Sequence, residues 1–319
     1  MPVLYLNEAD VRRVLTMDMA IPAVDAAFRK ISLDEAVNIP RSRCQTDGAM
    51  LHVLPAAAKT LGALGLKAYT TGKFTAQFQV FLFDPKQGGL IAILDADYLG
   101  QVRTGAASGV ATKKLARKDA TTVGLYGTGK QAQTQLEAMC KVRTIREVKV
   151  FSTNEERRTN FAAEMANICG TTVIPVATPE EAARERDIII TATSSREPVL
   201  KGEWLAPGTH LNIVGSNFLA KSEIDVEVLL RTELITVDSK EQARVEAGDF
   251  VAALQQGKMD WKNVFDFAHV LVGRYPGRET PEDITMFKSL GLGIEDIAVG
   301  VKVLEAARAQ GIGTELPMG

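Results

Sequence analysis

Asn217 occupies a position at which the chain could place chemistry. It follows a short apolar segment, residues 211–214, and then Gly215 and Ser216, where the chain must turn. In an open α/β sheet, ligands bind beyond the carboxyl ends of the strands, so a polar residue here is a candidate site residue. Its side-chain amide can orient a substrate through hydrogen bonds. It has no usable proton affinity near neutral pH, and it cannot serve as a general base.

Lys67 is a second candidate because it interrupts an apolar segment, residues 61–69. Burying an ammonium group without a partner is costly, so this lysine requires either a bound anion or an ionic partner within the fold. The sequence leaves both interpretations open, a ligand-binding lysine and a structural salt bridge.

A glycine-rich motif, G-x-G-x-x-A at residues 127–132, lies between an apolar segment typical of a strand and a segment typical of a helix. This context predicts a dinucleotide-binding loop. Gly127 permits a tight turn, Gly129 lets the backbone approach a pyrophosphate, and the helix N-terminus offers N–H groups to the phosphates. The predicted cofactor contacts in this loop are Gly127, Thr128, Gly129, Lys130 and Gln131.

The end of the next predicted strand indicates which nicotinamide cofactor is bound. An acidic residue there would hydrogen-bond the 2′-hydroxyl of NAD. This sequence instead has Ser152, Thr153 and Asn154, with Arg157 shortly after them. Hydroxyl groups, an amide and an arginine can hold a 2′-phosphate, so NADP is favoured and NAD stays possible. Later strand ends add the predicted cofactor contacts Thr193, Ser194, Val214 and Gly215.

The elements that would position these residues follow two patterns. From about residue 119 to 240, short apolar segments alternate with helical segments, which predicts the Rossmann type of α/β fold, a doubly wound parallel sheet. Residues 1–98 instead predict strands joined by turns, an α+β region. We therefore predict an α+β domain at residues 1–114 and a Rossmann domain at 115–297. The C-terminal helix, about 298–319, is expected to return to the first domain.

Composition excludes several classes of function. The 319 residues include 46% hydrophobic and 24% charged residues with a net charge of −2. Because no basic stripe is present, we expect neither nucleic acid nor a membrane as a partner. The N-terminus lacks a signal-peptide pattern, so a cytoplasmic protein is expected. The cysteines and histidines lack metal-ligand spacing, and no metal site is expected.

Seven motifs together give the sequence a wider resemblance. They are "IPRSR" at 39–43, "GLKAYT" at 65–70, "LDADYLGQVRTGAASGVAT" at 94–112, "GTGKQA" at 127–132, "NIVGSN" at 212–217, "VDSKEQARVEAGD" at 237–249 and "FKSLGLGIED" at 287–296. With these motifs the chain resembles the ornithine cyclodeaminase/μ-crystallin family over nearly its whole length. The resemblance implies a homodimer built on the N-terminal half, which would also bind substrate, and a nicotinamide-dependent reaction at an imine beside a carboxylate.

The resemblance also implies roles for individual residues. Arg41, Lys67 and Arg103 match the family's cationic residues at the substrate. Arginine offers a fork to a carboxylate, and lysine can also pass a proton. His52 and Gln79 depart from the family pattern, and we expect both near the substrate, where they could contact its side chain. For His52, a core role is an equal alternative.

Asn217 decides between the activities of the family, because cyclodeaminases carry an aspartate at the matching position. The resemblance therefore implies a reductase of small α-imino acids, with Lys67, Arg103 and Asn217 as its catalytic residues. Ornithine cyclodeaminase is one alternative. Another is a μ-crystallin-like protein that binds NADPH and a small ligand without turnover.

Overall fold

The computed structural model describes residues 2–73 and 76–317. The chain forms two compact units, Met1–Ala107 with Gly291–Gly319, and Ser108–Leu290. Both divisions lie seven residues before the predicted ones, 114/115 and 297/298. The first division falls inside a continuous helix, where composition does not change, so the sequence contains no mark of it. The last two residues of the predicted C-terminal segment, Met318 and Gly319, lie outside the described residues.

The strands and helices of the described residues are given in chain order. The strands are β1 Val3–Leu6, β2 Ala36–Asn38, β3 Ser42–Gln45, β4 Ala49–Ala58, β5 Ala63–Gly72, β6 Ala76–Phe83, β7 Leu90–Asp95, β8 Thr122–Tyr126, β9 Glu147–Phe151, β10 Thr172–Pro175, β11 Ile188–Thr191, β12 His210–Ile213, β13 Leu234–Val237, β14 Val264–Asp266, β15 Thr285–Lys288 and β16 Thr314–Leu316. The helices are α1 Glu8–Val14, α2 Met17–Ser32, α3 Asp97–Leu115, α4 Lys130–Val142, α5 Glu155–Cys169, α6 Pro179–Ala183, α7 Val226–Leu230, α8 Lys240–Glu246, α9 Gly248–Gln255, α10 Phe267–Leu271 and α11 Gly293–Gln310.

The first unit is a mixed sheet covered on one face by helices. Its strand order is β16-β1-β7-β6-β5-β4-β2, with β3 also paired to β4. Only the β1–β7 pair is parallel among the strand pairs of its described residues. Because side chains alternate between the faces of a strand, every second residue is buried in the first half of β5, at Ala63, Gly65 and Lys67. Helix α11 packs on the buried face, where the Cβ of an alanine at Gly293 would lie 2.6 Å from the carbonyl oxygen of Leu54.

The second unit confirms the predicted fold class. Its sheet has the order β10-β9-β8-β11-β12-β15-β13-β14, and all its pairs are parallel. Strands β11 and β12 are buried along their whole length, as expected for strands covered by helices on both faces. The sequence did not predict β14 or β15, which are only three and four residues long. Strand β15 lies between β12 and β13 and pairs with both.

Two further properties concern the part of the chain that the structure describes. No helix within residues 2–73 and 76–317 has both the length and the apolar character needed to cross a membrane. The same residues contain no group of three or more His, Cys, Asp or Glu side chains placed to hold a metal ion.

Candidate functional site

A cavity of about 710 Å³ lies at the carboxyl ends of the strands in the second unit. The predicted cofactor residues that line it are Gly127, Thr128, Gly129, Lys130, Gln131, Ser152, Thr153, Asn154, Arg157, Thr193 and Ser194. Its remaining lining residues are Tyr126, Phe151, Ala192, Ser195 and Val199. The other two predicted contacts, Val214 and Gly215, directly follow β12 and do not line this cavity.

The two glycines of the loop have different physical requirements. Gly127 has a φ of +103°, and a Cβ there would lie 2.3 Å from the carbonyl oxygen of Ala192, so the protein itself requires a glycine. Gly129 has a φ of −88°, and a Cβ there would meet no protein atom within 4 Å. It begins α4 without a side-chain cap. Open space beside an uncapped helix N-terminus suits the pyrophosphate of a dinucleotide.

Residues at and after the end of β9 also line this cavity. Asn154 caps α5, because its side-chain oxygen accepts a hydrogen bond of 2.8 Å from the backbone N–H of Arg157. The guanidinium of Arg158 donates to the carbonyl oxygen of Ser152 at 3.1 Å. Arg157 lines the cavity together with Ser152 and Thr153. No acidic side chain lines the cavity among the described residues.

Four cationic and acidic side chains meet in the first unit. The ammonium of Lys67 donates to Asp296 Oδ1 at 2.8 Å. The guanidinium of Arg103 donates to the same oxygen at 3.1 Å and to Glu295 Oε2 at 2.6 Å. All four residues are buried, and both acids lie in the first turn of α11. Lys67 therefore has the ionic partner that its burial requires.

Glycines allow these cations to approach the backbone. A Cβ at Gly100 of α3 would lie 2.8 Å from the Lys67 ammonium nitrogen. Gly291 has a φ of +82°, and a Cβ there would lie 2.6 Å from the Arg103 guanidinium. The carbonyl oxygen of Gly291 accepts a hydrogen bond of 3.1 Å from the buried guanidinium of Arg41. The structure thus brings together the three cations that the sequence predicted at the substrate.

The cluster changes the acidity of Lys67. Burial is the largest cause and lowers the pKa of its ammonium to about 8; Asp296 opposes this shift, while Arg103 and Arg41 add to it. A lysine with this pKa can exchange a proton near neutral pH, which a lysine exposed to solvent does poorly.

His52 lies on the same face of the sheet as Lys67. Its ring stacks on that of Tyr69 with centroids 4.1 Å apart, and its Nε2 lies 3.1 Å from Thr71 Oγ1. Burial, followed by the charges of Arg43 and Arg41, lowers the pKa of His52 to about 4, so the ring is neutral. The structure thus packs this histidine into an aromatic layer beside the cations.

Gln79 requires a correction. Val80 pairs with Lys67 across the sheet, so its neighbour Gln79 points to the opposite face. There Gln79 lines a separate cavity of about 370 Å³ with Tyr5, Glu8 and Asp95. The prediction that Gln79 shares a site with Lys67 is wrong, because the side-chain alternation of β6 separates them.

Asn217 lies in the segment that follows β12 in the second unit. The preceding carbonyl oxygen, of Ser216, accepts a hydrogen bond of 2.6 Å from the fully buried ammonium of Lys288. Lys288 pairs in turn with Asp249 at 2.8 Å. Sequence reasoning did not identify Lys288 or Asp249. It also gave no role to Glu295 and Asp296, although two acids at the start of an apolar helix were the available signal for the partners of Lys67.

Comparisons with known proteins identify relatives along the entire length of the chain. The profile of the Ornithine cyclodeaminase/mu-crystallin family matches residues 3–311. The chain is 35% identical over 325 residues to the alanine dehydrogenase of Archaeoglobus fulgidus, which covers 99% of this chain and 98% of that protein. It is 33% identical to the Delta(1)-pyrroline-2-carboxylate reductase of Bacillus cereus, with 98% and 99% covered.

Solved structures agree with the sequence relatives. The Delta(1)-pyrroline-2-carboxylate reductase of Thermococcus litoralis, in complex with NADH and L-proline, superposes with a TM-score of 0.94 at 34% identity, covering 98% of this chain and all of that one. An archaeal alanine dehydrogenase dimer with bound NAD gives the same TM-score and identity over both full chains. These matches confirm the resemblance seen in the motifs, and the chain belongs to the ornithine cyclodeaminase/mu-crystallin family.

Proposed function

We propose that the protein is an NAD(P)H-dependent reductase of small α-imino acids, which forms an amino acid by hydride transfer to the carbon of a C=N bond. The observation that carries the proposal is the buried cluster of Lys67, Arg103 and Arg41, whose charge suits a carboxylate. The relatives support it, because they include a pyrroline-2-carboxylate reductase and an alanine dehydrogenase.

The ion pairs of the cluster prepare it for a substrate. Asp296 and Glu295 fix the guanidinium of Arg103 before any ligand binds, which reduces the side-chain entropy lost on binding. Three cations opposed by two carboxylates leave a net positive site, since His52 is neutral. In our proposal the carboxylate of the imino acid binds to these cations, which fixes the orientation of its imine carbon for hydride transfer.

Lys67 has the acidity to act as the proton donor. Because the pKa of its ammonium is about 8, the group is protonated at neutral pH and can give its proton to the substrate nitrogen. The bound reduced nicotinamide supplies the hydride. In our proposal Asn217 orients a substrate amine or the nicotinamide amide and takes no proton, because an amide has no usable basicity.

We further propose that the cofactor is NADPH in preference to NADH. The absence of a carboxylate among Ser152, Thr153 and Asn154, together with an arginine, Arg157, among the lining residues, supports this choice. The solved relatives contain NADH or NAD, so the preference is a property we assign to this chain from its own residues.

The apolar face of the first unit's sheet supports a homodimer. Leu66, Phe81 and Ile93 form a row across β5, β6 and β7 on the face opposite Lys67, and each is partly exposed. Contiguous exposed apolar patches mark interaction surfaces. We propose that two copies of the chain pack through this face, as the alanine dehydrogenase relative is a dimer.

The test is oxidation of NADPH and NADH with three substrates, pyruvate with ammonia, oxaloacetate with ammonia, and Delta(1)-pyrroline-2-carboxylate. We expect turnover with at least one of them. Binding of NADPH without turnover of any imine would instead identify a binding protein. Ornithine with oxidised cofactor is the counter-assay, and robust formation of proline there would contradict the reductase proposal, because a base other than Asn217 would be present.

A further inference from the structure

Glu223 is a buried carboxylate outside the sites described so far, and it receives four hydrogen bonds. Its Oε1 accepts from the backbone N–H and the hydroxyl of Thr193, at 2.7 and 2.8 Å. Its Oε2 accepts from the backbone N–H of Gly215 at 2.6 Å and from the hydroxyl of Thr191 at 2.8 Å. Each oxygen therefore holds the backbone of a different segment, one after β11 and one after β12.

The two segments are in close contact at this point. A Cβ at Gly215 would lie 2.3 Å from Glu223 Oε1 and 2.4 Å from the carbonyl oxygen of Thr193. A glycine at position 215 is thus needed for both segments to reach one carboxylate.

A second acid holds Glu223 itself. Asp249 Oδ1 accepts from the backbone N–H of Glu223 at 2.7 Å, and Asp249 Oδ2 pairs with Lys288. Lys288 lies at the end of β15 and donates to Ser216, the residue after Gly215. The network therefore ties together the carboxyl ends of three adjacent strands, β11, β12 and β15.

The strand order indicates which half of the cofactor these segments would face. The glycine loop follows β8, so the pyrophosphate belongs there, and Ser152–Asn154 after β9 belong to the adenosine side. A dinucleotide extends across the strand ends, so its nicotinamide half lies on the other side of β8, toward β11 and β12. Thr193 and Gly215 follow these two strands.

We propose that Glu223 is a positioning residue for the nicotinamide half of the cofactor, which it serves by fixing the distance between the segments at Thr193 and Gly215. The inference rests on the proposed function, because it requires that the protein bind a nicotinamide dinucleotide.

Glu223→Gln is the sharpest test, because it preserves size and shape. A glutamine has one oxygen, so in either orientation of the amide one of the two backbone N–H groups faces another N–H group. We expect the Kd of the reduced cofactor to rise about tenfold or more, from the loss of a buried acceptor. The Kd of the fragment without nicotinamide should change less than about twofold, because the glycine loop and α4 are untouched.

The measurement is calorimetric titration with matched pairs, NADPH with 2′-phospho-ADP-ribose and NADH with ADP-ribose, accompanied by the melting temperature. Glu233→Gln is the control. Glu233 also accepts a hydrogen bond from a backbone N–H, that of Ile284, but this residue directly precedes β15 and so lies at the amino ends of the strands. We expect the control to bind all four ligands as wild type does.

The inference would be overturned, with the proposed function intact, if Glu223→Gln raised the Kd of cofactor and fragment equally or changed neither Kd. If wild type bound no dinucleotide, the proposed function would fall and the inference with it. If Glu223→Gln does not fold, Thr191→Val removes one donor to the same carboxylate from a buried strand position. That variant should raise the Kd of the cofactor about threefold and leave the Kd of the fragment unchanged. An unchanged cofactor Kd would count against the inference.

Discussion

The two units handle negative charge in different ways. In the first unit, charged side chains provide the positive site, and Lys67 and Arg103 are buried against Glu295 and Asp296. In the second unit, the cavity is built from glycines, hydroxyl groups and an uncapped helix N-terminus. Backbone N–H groups carry no net charge to desolvate, whereas each buried ammonium needs a carboxylate partner. A site for an anionic substrate that must also receive a proton therefore needs more buried charged side chains than a site for a phosphate.

The difference also determines how each site responds to substitution. A side-chain charge is removed by a single change, while backbone donors remain whatever the side chain is. We therefore expect single substitutions in the first unit to have larger effects on catalysis than single substitutions in the second unit have on cofactor binding.

The largest expected effect is that of Lys67→Met, which removes both a carboxylate contact and the proton donor. We expect kcat/KM for imine reduction to fall about thirtyfold to nearly a thousandfold, which corresponds to about 2–4 kcal/mol of lost transition-state stabilisation. Titration should show an unchanged Kd for NADPH, because Lys67 does not belong to the unit that contains the cofactor cavity. Lys59→Met, at an exposed lysine of the same unit, is the control. Near-normal turnover of Lys67→Met would refute the proposed role of Lys67 in binding the substrate carboxylate and donating the proton.

The next effect concerns the sheet face opposite the cations. Leu66→Asp places a charge at one end of the Leu66–Phe81–Ile93 row, and we expect the dimer dissociation constant to rise about a hundredfold, because an unpaired charge would be buried in the interface. Analytical ultracentrifugation measures it. Ile168→Asp, at an apolar side chain of α5 that is 57% exposed, should leave the assembly unchanged. A Leu66→Asp protein that stays dimeric would place the interface elsewhere.

A smaller effect is expected at the adenosine side of the cavity. Ser152→Asp adds the carboxylate that this strand end lacks, and it should repel a 2′-phosphate. The ratio of kcat/KM for NADPH over NADH should fall about tenfold, a difference of 1.4 kcal/mol. Asn160→Asp adds the same charge at an exposed position of α5 and should leave the ratio unchanged. A wild-type protein that already prefers NADH tenfold would overturn the proposed cofactor preference.

The smallest expected effect is a shift in pH dependence. Because Lys67 donates its proton only when charged, kcat/KM for reduction should fall as the pH rises through about 8, and oxidation of the amino acid should rise over the same interval. Asp296 raises the pKa of Lys67. In Asp296→Asn, both the fall of the reduction rate and the rise of the oxidation rate should therefore occur at lower pH. The substrate titrates identically with both enzymes, so the difference between the two profiles reports Lys67.

Glu305→Gln, at an exposed acid of the same helix, is the control and should reproduce the wild-type profile. A pH profile of kcat/KM that is not shifted in Asp296→Asn would show that another group supplies the proton.

The sequence was most informative where a structure is built from neighbouring residues. The glycine loop and the strand–helix alternation are contiguous, so eleven of the predicted cofactor contacts line one cavity. The partners of Lys67 could not be predicted in the same way, because Asp296 is separated from it by 229 positions. Gln79 shows a further limit. A motif places a residue within a strand, but a shift of one residue along a strand sends its side chain to the other face.

The late position of α11 in the sequence has a consequence for synthesis of the protein. The helix that neutralises Lys67 and Arg103 emerges from the ribosome only after the 183 residues of the second unit, Ser108–Leu290. At roughly 5–20 residues per second, this delay is about 10–40 s. During that time the N-terminal segment contains the two cations without the carboxylates they need for burial. The first unit therefore reaches its native packing after the second unit is translated, although its chain begins first. A nascent chain halted before residue 296 lacks the carboxylate that pairs with both Lys67 and Arg103.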